Sequence, residues 1–359
     1  MVWSRRLRLL PPALLVGLAA VAPASASATP VPGPVIPSAD NLGTTTSPAP
    51  KTAIVTSPGA RLAGRSARFN GFGGLVRTAA GDTFKVYLSQ RYGANKGALA
   101  AWTRFFADLV HGDELSRLTV LVAPFKDIQG MCGEQTNGCY TPVENLLTIP
   151  GETPPDGTRV EEIAAHEYGH HIANNRSNYP WDALAWGTKR WSTGQQICER
   201  VRGGEVFPGD TGTRYSLNPG EAFADSYRVL VGGRWSGLFD ASLKPRAADL
   251  ALIRQDVVAP YRRGEPEVRR DSFTATGPSV RRFTLPTPLD GRLKLDLRGD
   301  AGQDLDVALF DGKRKLVDST TPGSTRETLR GDLCGVREVT VVVRRAQGAG
   351  DFRLEVALP

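Results

Sequence analysis

The sequence predicts an α+β domain followed by an all-β sandwich, and three observations carry that expectation. Alternating apolar runs come first, at 83–90 and 118–123. Stretches of helical periodicity then dominate, at about 158–175, 182–202, 219–231 and 246–259. From about residue 269 the chain becomes short alternating runs separated by Gly, Asp and Pro turns. Strands first and helices after is the pattern of an α+β domain, and regularly spaced short strands are the pattern of a sandwich.

The first segments belong to neither domain. Arg5, Arg6 and Arg8 precede an apolar run from Leu9 to Ala22, and the small-residue stretch APASASA ends at Ala28. Residues 1–28 therefore read as a secretory signal peptide, whose apolar part falls short of the roughly 20 residues that span a bilayer. No later segment approaches that length, so a secreted, extracellular protein without a membrane span is expected. Ser4-Arg5-Arg6 resembles a twin-arginine signal, but Arg8 stands where a large apolar residue is usual, and the export route stays open. Residues 29–61, dense in Pro, Thr, Ser and Ala, read as an extended tether or short pro-segment without a core.

About 330 residues remain after the leader, enough for two domains, which we place at 62–265 and 270–359. The net charge of +7 comes mostly from Arg, with pairs at Arg262-Arg263, Arg269-Arg270 and Arg281-Arg282. No stacking aromatics are interleaved with them, which favours a solvated linker over a nucleic-acid surface. The cysteines Cys132, Cys139, Cys198 and Cys334 are expected to pair in an exported chain. Cys132 with Cys139 closes the loop CGEQTNGC and leaves Cys198 and Cys334 to join the two domains. Their spacing matches no thiolate zinc pattern.

Within 62–265, TFKVYLSQ alternates like a strand, and Ala94 to Val110 reads as an amphipathic helix carrying Leu99, Trp102, Phe105, Phe106 and Leu109. A second strand follows at LTVLVA, and NLLTIPG reads as another, shortly before the next helix. Gly203-Gly204 and Gly232-Gly233 stop two helices. The tryptophans Trp181, Trp186 and Trp191 read as core. In the second domain RRFTLPTPLDGRLKLDLRGD, QDLDVALFDGKRKLVDS, REVTVVVRRA and DFRLEVAL supply strands. Asp300, Asp304, Asp306 and Asp311 are candidates for Ca2+, weighed against the frequency of aspartate at turns and strand ends.

The chemistry is concentrated in AAHEYGHHIANN, residues 164–175. On a helix, residues four apart return to the same face, so His166 and His170 can converge on one metal ion, while His171 lies about 140° away. His171 falls beside Val160 and Ala164, where a packed or hydrogen-bonded histidine is expected. Glu167 stands one step round from His166, where a carboxylate can take a proton from a water beside the metal. Two histidines are one ligand short of the three usual at catalytic zinc. A metzincin would have a glycine and a third histidine where this chain has Ala173 and Arg176, which excludes that class. Asp182 and Asp210 are available, but RYSLNPGEAFADSY offers more: Asn218-Pro219 starts a helix, Glu221 lies in its first turn, and Asp225 follows on the same face. Glu221 can coordinate the metal, and Asp225 can accept the free ring N–H of His166 or His170. Favouring a helix N-terminus and a solvated surface position are the plainer explanations of the two.

HEYGH followed by NPGEAFAD resembles the gluzincins, zinc peptidases whose third ligand is a glutamate on a later helix, and is most similar to their anthrax lethal-factor-like branch. That resemblance implies a zincin-like catalytic domain with Zn2+ held by His166, His170 and Glu221, Glu167 as general base and then proton donor, and Asp225 as the orienting carboxylate. It also implies that Tyr215 helps to stabilise an oxyanion, with Tyr227 and Arg214 as rivals for that role. The implied activity is that of a secreted zinc metallopeptidase (a metalloprotease, a hydrolase) acting on a protein or peptide substrate. YTPVENLLTI is the strand expected to pair with it. A catalytically inactive surface- or polymer-binding protein with a vestigial zinc site, and a zinc hydrolase of a non-peptide bond, are the alternatives. The stretch 270–359, through FTLPTPLDGRLKLDL, DLDVALFD and GDFRLEVAL, resembles the bacterial pre-peptidase C-terminal domain, a β-sandwich common behind secreted peptidases.

Overall fold

The computed structural model describes residues 53–54 and 71–359. The expected signal peptide and most of the expected tether lie outside the described residues. Six strands form a mixed sheet: β1 (Ala53–Ile54), β2 (Gly71–Arg77), β3 (Thr83–Ser89), β4 (Thr119–Ala123), β5 (Cys139–Thr141) and β6 (Leu146–Pro150), in the order β1-β5-β6-β4-β3-β2. β3, β4 and β6 run parallel, while β2 and β5 run antiparallel to their neighbours β3 and β6. On β3 the alternation puts Phe84, Val86 and Leu88 in the core. The central strands β4 and β6 are apolar on both faces and buried almost throughout, as expected for strands covered on both sides.

Helix α1 (Lys96–Asp108) starts where the Asn95 side chain accepts the Ala98 N–H at 2.9 Å. It lays Trp102 and Phe106 against β3 and α3 (Val160–Asn174), where Phe106 meets Phe84 and Tyr168. The cysteine-closed segment 133–138 is a loop, as expected, but it is preceded by a helix the sequence did not signal, α2 (Phe125–Cys132). Its apolar face is only Ile128 and Cys132, and it contains Gly130, so it lacks a periodic signal. The helix expected over 182–202 is three short ones: α4 (Ala183–Trp186), α5 (Lys189–Gly194) and α6 (Ile197–Arg202). The first break is at Gly187, with φ 77°, where a Cβ would stand 2.3 Å from the Trp191 ring. The second is at Gln196, in the left-handed region at φ 56°. Trp191 is fully buried, and Trp181 and Trp186 stack on each other at 4.7 Å.

YTPVENLLTI is not one strand. It folds back through a turn at Pro142–Glu144, with Asn145 at φ 49°, into the hairpin of β5 and β6. β6 is interior, and the outer edge of β5 pairs with β1, Ala53 opposite Cys139 and Ile54 opposite Tyr140. A two-residue strand thus forms within a segment read as featureless tether, because β5 offers unpaired backbone groups on that side.

Helix α7 (Pro219–Leu230) is capped as its sequence directs: the Asn218 side chain accepts the Gly220 N–H at 3.0 Å, and Pro219 occupies the first turn. It packs on α3. A Cβ on Gly169 would lie 2.7 Å from the Ala224 Cα, so glycine lets the two helix backbones approach closely. Gly169→Ala should lower thermal stability by about 1–3 kcal/mol although alanine is the better helix former by roughly 1 kcal/mol. A variant that unfolds at the same temperature or higher would show that the helices close without the glycine. Helix α8 (Ala247–Val258) completes this half through Ile253 and Val257.

The rest is antiparallel: β7 (Glu267–Phe273), β8 (Val280–Pro286), β9 (Gly291–Gly299), β10 (Asp304–Asp311), β11 (Arg314–Ser319), β12 (Arg326–Leu333), β13 (Glu338–Gln347) and β14 (Gly350–Ala357). They form two four-stranded sheets, β11-β10-β13-β8 and β12-β9-β14-β7, in a sandwich-like arrangement. Strict alternation on β9, with Leu293, Leu295 and Leu297 inward, and on β13, with Val339, Val341 and Val343, fills a hydrophobic cluster separate from that of the first sheet. Disulfides join Cys132 to Cys139 and Cys198 to Cys334, as expected; the second ties α6 to the turn after β12. Among the described residues no helix is long and apolar enough to cross a membrane.

Candidate metal centre

Helices α3 and α7 bring His166, His170 and Glu221 together, with one donor atom from each lying within 4.8 Å of the others. His166 Nε2 is 3.3 Å and His170 Nε2 3.5 Å from the same Glu221 Oε2, so both rings point at one carboxylate. All three side chains are buried. The polar inventory shows that this arrangement fits a cation: Glu221 Oε1, His170 Nδ1 and both oxygens of Glu167 are buried without a hydrogen bond. Such atoms are costly unless a further group satisfies them, and two imidazoles with a carboxylate suit a transition-metal dication.

The acid–base state of the metal-free site follows from burial and proximity. Burial alone would push His166 down, but its contacts with Asp225 and Glu221 outweigh that and raise it to about 9. Burial pushes Glu167 up to about 8, only partly offset by His166. For Glu221 burial is overcome by His170 and His166, which hold it at about 2. Burial lowers His170. A dication would displace the His166 proton and draw Glu167 into its ionised form.

The supporting groups are ordered around Asp225, which is fully buried. Its Oδ1 is 3.5 Å from His166 Nδ1 and 2.8 Å from Arg228, and its Oδ2 accepts the Ser236 N–H at 2.8 Å. A proton on His166 Nδ1 facing Asp225 leaves the Nε2 lone pair for the metal. Phe239 stacks on the His166 ring at 6.1 Å and 5° between planes. Arg228, Ser236 and Phe239 were not picked out in the sequence. Arg228 could have been, three residues after Asp225 on the same helix, whereas Ser236 and Phe239 lie in an irregular stretch without periodicity. Gly138, the residue before Cys139, is a further neighbour: a Cβ there would be 3.4 Å from Glu167 Oε1.

Tyr215 reaches the site, its hydroxyl donating to Glu221 Oε2 at 2.9 Å. Its rivals are engaged elsewhere: Tyr227 donates to the Val110 carbonyl at 2.6 Å, and Arg214 pairs with Asp210 and lies over Phe207. The alternative ligands are engaged too, Asp182 as the cap of α4 and Asp210 with Arg214 and the Gly212 N–H. Asp300, Asp304, Asp306 and Asp311, the candidates for Ca2+, are not among the described residues whose donor atoms converge as a metal-ligand group. Asp300 accepts the Asp351 N–H and Asp311 pairs with Arg314, as aspartates at turns and strand ends do.

His171 points away from the centre. Its Nε2 is 2.9 Å from the Glu114 carbonyl and its Nδ1 3.2 Å from the Tyr140 hydroxyl, so the neutral ring donates to the first and accepts from the second. Glu114 also takes the Tyr168 hydroxyl at 3.0 Å and pairs with Arg176, which fastens the back of α3. Burial holds His171 down at about 4, below its unfolded value. The unfolded chain therefore takes up this proton first as pH falls. The stabilisation is complete above about 6.5 and lost between there and about 4, to a total of about 3 kcal/mol. His171→Gln should flatten the stability profile across that interval, as read by urea unfolding at successive pH values. An unchanged slope would assign the acid sensitivity elsewhere.

No family model matches the chain, and no curated protein matches it. Among solved structures, the pre-peptidase C-terminal domain of a collagenase from Bacillus anthracis is similar at 10% identity, with a TM-score of 0.23, covering 26% of this chain and 89% of that one. PliG from Aeromonas hydrophila, a periplasmic inhibitor of g-type lysozyme, is similar at 11% identity, with a TM-score of 0.21, covering 26% and 85%. Likenesses this slight carry no argument about function.

Proposed function

We propose that the protein is a secreted zinc-dependent endopeptidase of gluzincin type, with a zincin-like catalytic domain and a pre-peptidase C-terminal-like sandwich behind it. The observation that carries this reading is the convergence of His166, His170 and Glu221 beside a buried Glu167 whose two oxygens have no hydrogen-bond partner. A structural metal would need the three ligands and a fourth; it would not need a free carboxylate next to them.

When bound, zinc supplies Lewis-acid polarisation of a scissile carbonyl and makes an attacking water acidic. Glu167 accepts the proton of that water and returns it to the leaving amine. Tyr215 turns its hydroxyl from Glu221 to the developing oxyanion. Asp225, steadied by Arg228 and the Ser236 N–H, keeps the His166 ring oriented. Glu167, His170 and Glu221 have no exposed surface, so a substrate reaches them only when the residues that cover them give way.

The test is hydrolysis of a denatured protein by the purified mature chain, with and without a chelator, beside a panel of ester and glycan substrates. Cleavage that a chelator abolishes and added zinc restores supports the reading. Turnover of a non-peptide bond alone would make the protein a different zinc hydrolase. Inertness towards every substrate would leave a binding protein with a vestigial site.

A further inference from the structure

The outer face of the β12-β9-β14-β7 sheet carries a second feature, remote in kind from the metal centre. The register places Arg326 opposite Arg298, Arg298 opposite Arg353, and Arg353 opposite Arg270. Directly paired residues share a face, so four arginines from four strands stand abreast, and all four are exposed. At the usual strand spacing they form a line about 14 Å long. Like charges directly opposite one another destabilise a sheet, and here three such pairs follow in succession. Arg353 pairs with Glu355, but Arg270, Arg298 and Arg326 make no side-chain ion pair or hydrogen bond among the described residues. A shallow groove of about 600 Å³ beside the row is lined by Arg270, Arg298 and Arg353 together with Asp271, Asp300 and Asp351.

We infer that this arginine row is a binding site for a linear anionic polysaccharide lying across the strands, with a carboxylate or sulfate on roughly every sugar ring. The shape of the charge selects this partner. One row to the side stand Asp296 and Glu355, and on the other side Asp300 and Asp351. A planar anionic membrane would press on both acidic rows as well as the arginines, whereas a thin chain laid along the line of arginine tips, which continues past the groove to Arg326, keeps two residues, roughly 7 Å, from the carboxylates on either side. No aromatic ring occupies an outward position on these four strands, which removes the stacking that single-stranded nucleic acid uses. Guanidinium groups bind carboxylate and sulfate in a planar fork, and their spacing across the strands is close to the length of a sugar ring.

The test uses the full mature chain in gels containing alginate, dextran sulfate or uncharged dextran at about 0.15 M salt. Retardation by one or both charged polymers and not by dextran is expected; alginate alone identifies carboxylate, dextran sulfate alone identifies sulfate. Arg270→Ser with Arg298→Ser should weaken binding at least tenfold. Arg77→Ser with Arg104→Ser, which removes the same charge elsewhere, should change it less than twofold. Circular dichroism of both variants confirms that they are folded. Equal losses in the two variants, no binding by the wild type, or tighter binding to phosphatidylserine vesicles or single-stranded DNA than to either polymer would overturn the assignment.

Discussion

Glu167→Gln is expected to lower hydrolysis by a factor on the order of 10²–10⁴ or more while leaving the metal in place. The side chain is fully buried and stands beside the three converging donors without being one of them. The amide keeps the volume and loses only the ability to take and return a proton. Stability should respond in the opposite sense. In the metal-free chain Glu167 is a buried carboxyl pushed up to about 8, with both oxygens unpartnered. Between its ordinary value of 4.5 and about 8 the unfolded chain sheds this proton while the folded chain keeps it, so stability is lost across that window and the loss is complete above it. Glutamine does not titrate, so the metal-free variant should unfold at an equal or higher temperature towards and above about pH 8. Metal analysis, peptide turnover and melting curves on one preparation separate these effects. A variant that hydrolyses normally removes Glu167 from the mechanism, and one that loses its metal makes it a ligand instead.

The candidate metal centre was legible because its residues sit on regular elements. Four-residue spacing selects His170 over His171 by helix geometry alone, and the structure turns His171 onto Glu114 and Tyr140 as that geometry requires. Asn218-Pro219 announces the start of α7, which fixes where Glu221 and Asp225 must point. Alternation did the same for the sandwich, where β9 and β10 follow their apolar residues closely. The sequence failed where local signals were weak or mutually opposed. Helix α2 has too few apolar positions to show a period, and the run 182–202 looks continuous until Gly187 and Gln196 take up positive φ. Neither break is written in hydrophobicity; the first depends on how closely the Trp191 ring packs on Gly187.

The edge strand is a different kind of failure. YTPVENLLTI reads as one extended segment, yet Pro142 and Asn145 supply turn chemistry that divides it into β5 and β6. Likewise the pairing of Arg326, Arg298, Arg353 and Arg270 was invisible, because register between strands far apart in sequence is set by tertiary packing. The arginine pair at Arg269-Arg270 looked like solvated linker. In the structure Arg270 belongs to a row that only the folded sheet assembles, and Arg269, its neighbour, pairs with Glu267.

Glu221→Ala should abolish stable metal binding, weakening it on the order of a thousandfold or more, because two histidines cannot close a site built for three ligands. The alanine variant also strips the metal-free chain of the one anion that faces both His166 and His170, and leaves the Tyr215 hydroxyl without its acceptor. Its folding must therefore be checked, since each loss is a buried polar group left unpaired. Glu221→Gln resolves the difficulty. The amide keeps the volume and still accepts from Tyr215, but it is a poor metal ligand and carries no charge. If both variants are folded and both lose the metal, Glu221 is a ligand. If Glu221→Gln retains full zinc occupancy by metal analysis, the third donor lies elsewhere and the convergence on α7 has another cause. Loss of metal in the alanine variant alone, with the glutamine variant binding as tightly as the wild type, would mean that packing around Tyr215 and not coordination holds the centre together.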